Sequence, residues 1–297
     1  MMKSLAVVAG CILLAGCSSD PGQSSECVGE TGAALKTCAG TTTLKGVDVS
    51  YYQGTVNWTS VKSSGHAFAF ARASDGVNYP DTKFAANWPA MKNAGVIRGV
   101  YQFFRPGQDV QDQVDLLFSK LNAAGGLDAG DLPPVLDLET TDNVASSTVV
   151  ARAKSWLQKV EAKSGVKPIV YTAAFMSSVI GTSFSGYTVW VANYGVTCPT
   201  MPSGWTDWHF WQNADNGAVP GISGGVDTDI FNGDIAALKK ITIQPANAPP
   251  KGTGTTAPSA DDDIFHGAQG ATLGSSKDQP PSEDTTGATV TEQPCSR

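Results

Sequence analysis

Asp137 and Glu139 stand two residues apart in the run PPVLDLE (133–139). Side chains alternate along a strand, so Val135, Asp137 and Glu139 share one face while Leu136 and Leu138 share the other. If the leucines pack outward on helices, both carboxyls point into the sheet's enclosed side. Two acids desolvated together raise the pKa of one of them. A carboxyl kept protonated near neutral pH is what a general acid requires. A D-x-E pair alone is as often a solvated strand end. The pattern gains weight from Asp48 in GVDVS (46–50) and Asp227 in GGVDTD (224–229), each at or near a short apolar segment. In a closed barrel the first and last strands are neighbours, which would bring Asp48 and Asp227 to the same mouth as the Asp137/Glu139 pair.

Other chemistries are poorly supported. The three histidines, His66, His209 and His266, form no H-E-x-x-H motif or Cys/His cluster, so no metal site and no cofactor is expected. No G-x-S-x-G is present for a nucleophile elbow. A net charge of −7 argues against a nucleic-acid partner.

The elements that must position these acids alternate in type. Strands are expected at 44–49, 67–73, 96–104, 134–138, 168–172, 188–192, 208–212 and 226–231. Helices are expected at 56–64 with Asn57 as cap, 81–94 with a possible kink at Pro89, 109–124, 146–164 capped by Ser146 and stopped by Gly165, and 233–240. Phe84, Trp88 and Met91 share one helix face, as do Val110, Val114, Leu117 and Leu121, and Val149, Ala153, Trp156 and Val160. Alternating strands and helices imply a mainly parallel sheet. With no Gly-rich phosphate loop after the first strand, an α/β fold of irregular, short TIM-like β/α barrel type is expected. At about 200 residues, a barrel must abbreviate several helices.

The ends read differently. Residues 1–16 have a positive Lys3, an apolar run and the ending LAGC, which resembles a lipoprotein signal. Cys17 would then carry lipid, and residues 17–43, rich in Ser, Gly and Thr, would be a tether. The barrel is assigned to 44–243. Residues 244–297 carry seven acids against three basic residues, 3 − 7 = −4 of the total −7, with little apolar periodicity. They are expected to be a disordered acidic tail. These features predict a lipid-anchored envelope protein, in the outer membrane if the source has one, and a monomer. Four cysteines remain after the signal and the lipidated residue. Cys27–Cys38 and Cys198–Cys295 are the favoured pairs in an oxidising compartment, with free thiols the alternative.

The segments GVDVSYYQG, FAFARASDG, GVYQFFRPG, DLPPVLDLE, KPIVYT, VWVANY, HFWQ and GVDTDIFNG occur in an order that resembles glycoside hydrolase family 25, the N,O-diacetylmuramidase type of lysozyme. The resemblance covers about residues 44–241. It implies an irregular β/α barrel and cleavage of the β-1,4 bond between N-acetylmuramic acid and N-acetylglucosamine in peptidoglycan. It also implies Glu139 as general acid, Asp137 as the residue that stabilises or orients the sugar, and Asp48 and Asp227 as the other acids of the cluster. A catalytically weak peptidoglycan-binding protein on the same fold is the alternative. Spacing leaves retaining, inverting and substrate-assisted courses open. Tyr51, Tyr101, Phe103, Tyr171, Trp190, Tyr194 and Trp211 fall at or near strand ends, where rings suit sugar faces. Phe103 and Trp211 could equally pack in the core, whereas Tyr171 and Trp190 match groove-lining positions of the family. Arg105 is a candidate contact for substrate carboxylates. Asp75 and Gln102 depart from the Glu and His that family members often carry there, which bears on substrate details more than on the reaction.

Overall fold

The computed structural model describes residues 34–249. Strand β1 (Leu44–Val49) is followed by α1 (Trp58–Ser63) and β2 (His66–Asp75), then a two-residue strand β3 (Tyr79–Pro80) and α2 (Phe84–Asn93). Next come β4 (Ile97–Phe103), α3 (Val110–Ala123), β5 (Val135–Asp137) and α4 (Ser146–Ser164). The order ends with β6 (Ile169–Ala173), α5 (Ser177–Ile180), β7 (Thr188–Ala192), β8 (Phe210–Gly217), β9 (Val226–Phe231) and α6 (Ile235–Ile241). Among the described residues, eight strands close a barrel in the order β1-β2-β4-β5-β6-β7-β8-β9, with β9 returning to β1 and β3 appended to β2. All eight expected strands are present, and α1, α5 and α6 are short, at 6, 4 and 7 residues, as the length of the chain requires.

The barrel sheet is mainly parallel, as expected, with one exception at its last strand. β9 runs antiparallel to both β8 and β1, so the sheet is not parallel throughout. Its amino end therefore lies at the barrel mouth, with the carboxyl ends of the other seven barrel strands. The reason is the connection. β8 extends to Gly217, beyond the expected end at 212, and only a short loop separates it from β9, far too little for the crossover that a parallel neighbour needs.

Local signals explain most helix ends. Asn57 caps α1 by accepting from the backbone N–H of Ser60, Asp109 caps α3 through Gln111 and Asp112, and Asp234 caps α6 through Ala237. Gly165 ends α4 in the left-handed conformation at φ 73°. Ser146 does not cap α4. It is the first helical residue, and Ala145 holds the cap position without a side-chain bond.

Two apolar layers follow from strand alternation. The outer layer, between barrel and helices, contains Val47, Val49, Ala69, Val100, Leu136, Leu138, Val170 and Val191 packed with Trp88, Leu117, Trp156 and Val160. The inner plug contains Phe68, Phe70, Tyr101, Val135, Ile169, Tyr171, Trp190, Phe210 and Phe231. Leu136 and Leu138 thus face outward, as the alternation argument requires.

The segment expected as a tether up to residue 43 is bound to the barrel from at least Lys36. Lys36 pairs with Thr200, Thr37 Oγ1 donates to the Thr206 carbonyl, and Trp208 Nε1 donates to the Thr37 carbonyl at 2.7 Å. Cys38 is bonded to Cys198. This overturns both expected pairs, Cys27–Cys38 and Cys198–Cys295. The antiparallel pairing beside Thr200 brings together cysteines 160 residues apart, a proximity that spacing along the chain does not reveal. Cys27, Cys295, Cys17, the signal and the tail beyond 249 lie outside the described residues. At the other boundary, ordered backbone continues past 243 into a 3-10 turn at Pro245–Asn247.

Candidate active site

β5 is three residues long, and Asp137 is its last. It pairs with Phe103 of β4 and Tyr171 of β6. The chain stays extended far enough for the Leu138 N–H to donate to the Tyr171 carbonyl. Glu139 follows two residues on, past the strand end, close enough for its charge to act on the Tyr171 and Tyr194 phenols of the mouth. Across the barrel, Asp48 and Asp227 are direct register partners on β1 and β9. The reversal of β9 makes this possible, because an antiparallel last strand presents its first residues at the level where β1 ends. Asp48 and Asp137 are buried. All four acids expected from the sequence therefore lie at one end of the barrel.

The loop that carries Glu139 is held by a charged clamp. Arg105 donates to both carboxylate oxygens of Asp75, Nε at 2.5 Å and one terminal nitrogen at 2.7 Å. Its other terminal nitrogen reaches Asp142 at 3.4 Å. Asp142 and Asn143 adopt φ of 46° and 59°, and Asp142 also accepts from the Gly107 N–H. Arg105, expected as a contact for substrate carboxylates, is thus engaged with two carboxylates of the protein. Its guanidinium lies 4.3 Å from the centre of the Phe103 ring, which puts Phe103 beside the mouth. Asp75 is in register with Phe103 because a bulge between Arg72 and Ser74 shifts β2 by one residue.

A hydrogen-bonded hub occupies the opposite wall. Gln212 Oε1 accepts from the hydroxyls of Tyr171 at 2.7 Å and Tyr194 at 2.6 Å. Gln212 Nε2 donates to Asp48 Oδ2 at 2.7 Å. Burial pushes the Tyr171 and Tyr194 phenols up, and nearby acids, Glu139 and Asp48 among them, add to the effect. Below this layer, Asp229 shares the inward face of β9 with Asp227. Burial first, and the Asp227 charge second, hold its carboxyl well above the usual carboxylate range, against an opposing hydrogen bond from Trp190 Nε1 at 2.9 Å.

The remaining expected residues divide. Tyr51 opens the 3-10 turn after β1, stacks on Tyr52 at 4.2 Å, and lies 5.3 Å from the Arg72 guanidinium. Tyr101 and Trp190 belong to the buried plug. Trp190 stacks on Phe70 at 4.3 Å and is 1% exposed, so it floors the site instead of lining an open groove. Two expectations are corrected. Gln102 is fully buried on the outer face, where its amide donates to Ser74 Oγ and the Gln113 carbonyl and accepts from Trp156 Nε1. Trp211 also faces outward, donating to the Asn193 carbonyl and packing on Trp208. Both alternate with inward neighbours, Tyr101 and Phe103 on β4 and Phe210 and Gln212 on β8, so neither can reach the mouth.

Sequence reasoning missed Gln212, Asp229 and Arg72. Arg72 is buried on β2, in register with Tyr101, and bonds Asp81, which also accepts from the Tyr51 N–H. Inward alternation with Phe68 and Phe70 could have found Arg72, and alternation with Asp227 could have found Asp229.

Comparison with known proteins matches residues 47–222 to the family described as glycosyl hydrolases family 25. The chain is 37% identical to Lysozyme M1 of Streptomyces globisporus over 210 residues, 67% of this chain and 71% of that protein. It is 29% identical to an N,O-diacetylmuramidase of Arthroderma benhamiae, covering 70% of this chain and 89% of the relative. The crystal structure of the bacterial lysozyme from Streptomyces coelicolor superposes with a TM-score of 0.64 at 35% identity, covering 70% of this chain and all of the other.

Proposed function

The chain belongs to glycosyl hydrolases family 25 and is a lysozyme, and from that premise we propose that it cleaves the β-1,4 bond between N-acetylmuramic acid and N-acetylglucosamine. Glu139 is the general acid that protonates the leaving oxygen, and Asp137 stabilises or orients the reacting sugar. The observation that carries this reading is the placement of Asp137 at the inward end of β5, with Glu139 two residues on, facing a mouth that also holds the register pair Asp48 and Asp227.

In the assisted course, Asp137 accepts the N–H of the sugar's 2-acetamido group, whose carbonyl oxygen attacks the anomeric carbon as Glu139 gives its proton to the departing oxygen. Water then opens the ring intermediate with Glu139 as base, which retains the anomeric configuration. Release of muropeptides from purified peptidoglycan tests the reading. Glu139→Gln is expected to lower the rate at least about 100-fold, and the wild type is expected to give the retained anomer first by proton NMR. A wild type no faster than Glu139→Gln would instead support a wall-binding protein, and an inverted first product would remove the assisted course.

We also propose that Cys17, in LAGC, carries a lipid that tethers a monomeric enzyme to the cell envelope, in the outer membrane where the source has one. The motif and the apolar run before it support this. Cys17→Ser is expected to move the protein from the membrane to the soluble fraction, and retention in the membrane would count against the anchor.

A further inference from the structure

We infer that Gln212 is a positioning residue that ties the Asp48 carboxylate and the phenols of Tyr171 and Tyr194 into one unit and sets the pH range over which Asp48 is ionised. The inference deepens the hydrolase reading above and takes its functional meaning from it.

The orientation of the amide follows from its surroundings. Gln212 is buried on the inward face of β8, with the Asp48 carboxylate at one end and two hydroxyls at the other. A carboxylate accepts only, so the N–H end must face Asp48 and the carbonyl must face the phenols. The reverse arrangement would set an amide oxygen against a carboxylate. The phenols remain protonated because burial and the neighbouring acids hold their pKa values up. Each therefore has a proton to give to Oε1.

A hydrogen bond donated to the charged form of an acid favours that form. It is also stronger where the site is desolvated. Around Asp48, the charged and titratable groups on inward or mouth positions are Tyr51 after β1, Arg72 and Asp75 of β2, Tyr101 of β4 and Arg105 after it, Asp137 and Glu139 of β5 and its loop, Tyr171 of β6, Tyr194 after β7, and Asp227 and Asp229 of β9. Five of these are acids, and each of those that is ionised disfavours a charge on Asp48. Gln212 opposes them without adding a charge of its own. It also links β1, β6, the end of β7 and β8 through three bonds. The β8–β9 register shifts immediately after Gln212, and such a bulge re-aims the residues beside it.

The test is a pH titration of the full chain carrying 13C at its aspartate carboxyl carbons, with the Asp48 signal assigned by its loss in Asp48→Asn. Gln212→Leu removes both ends of the hub and is expected to raise the Asp48 midpoint by about one unit, tenfold in its acid constant. Gln212→Asn, an amide too short to span the hub, is expected to shift it in the same direction and serves if the leucine variant does not fold. An unmoved midpoint in a folded variant overturns the inference. Muropeptide release followed over the same pH range is expected to show its acid limb displaced with the midpoint. A limb that stays in place while the midpoint moves overturns the claim on working pH. A wild type that releases nothing defeats the hydrolase reading, while the NMR titration still decides whether Gln212 sets the ionisation of Asp48.

Discussion

Asp229 is 2% exposed, and its Oδ2 has no hydrogen-bond partner among the described residues. A desolvated carboxyl below the charged Asp227 keeps its proton to a higher pH than it would in the unfolded chain. The native state therefore binds more protons than the unfolded state once pH exceeds about 4, the unfolded value. Stability from this group is complete below that value and is lost as pH rises through the raised native pKa. Asp229→Asn keeps the shape and cannot ionise. Its melting temperature relative to the wild type is expected to climb from pH 4 to pH 8, and a difference constant across that range would refute the assignment. At this scale the sequence was partly legible. The i, i+2 spacing of Asp137 and Glu139 is a property of two residues on one strand. The role of Gln212 carries no such mark, because its partners Asp48, Tyr171 and Tyr194 lie on other elements.

Strands act here as alternation rules, and two departures from a regular parallel sheet shape the site. The bulge in β2 brings Asp75 into register with Phe103 on the inward side, and the reversal of β9 brings Asp227 opposite Asp48. Regular alternation also removes Gln102 and Trp211 from the site, although both lie in segments that resemble family motifs. The plug depends on room as well as parity. A Cβ on Gly99 would lie 2.3 Å from the Phe70 ring, and one on Gly46 would lie 2.3 Å from Phe68. Phe70 in turn stacks on Trp190, which bonds Asp229. Gly99→Val is therefore expected to destabilise the barrel by about 1–3 kcal/mol, measured by denaturant unfolding, and to perturb Trp190 fluorescence. An unchanged midpoint would show that the plug yields without cost.

For the molecule as a whole, the strap formed by Lys36–Gly40 is the feature with the longest reach. It crosses beside 199–208, bonds Asn232 through the Gly40 N–H at 2.8 Å, and is locked by Cys38–Cys198. A crosslink spanning 160 residues restricts the unfolded chain strongly. Removing a native disulfide typically costs about 2–5 kcal/mol. Cys38→Ser with Cys198→Ser is expected to lose stability in that range in guanidinium unfolding. An equal midpoint with and without the bond would mean that the hydrogen bonds of the strap suffice.

Pattern along the chain determined the strand–helix alternation, the eight barrel strands, the inward pair Asp137/Glu139 and the excess of charge in 244–297, since each depends only on neighbours within a few residues. Tertiary structure alone decided the direction of β9, the pairing of Cys38 with Cys198, the capture of Arg105 by Asp75 and Asp142, and the hub at Gln212. Each of these depends on which distant segments meet when a twisted sheet closes, and that closure is a property of the whole barrel.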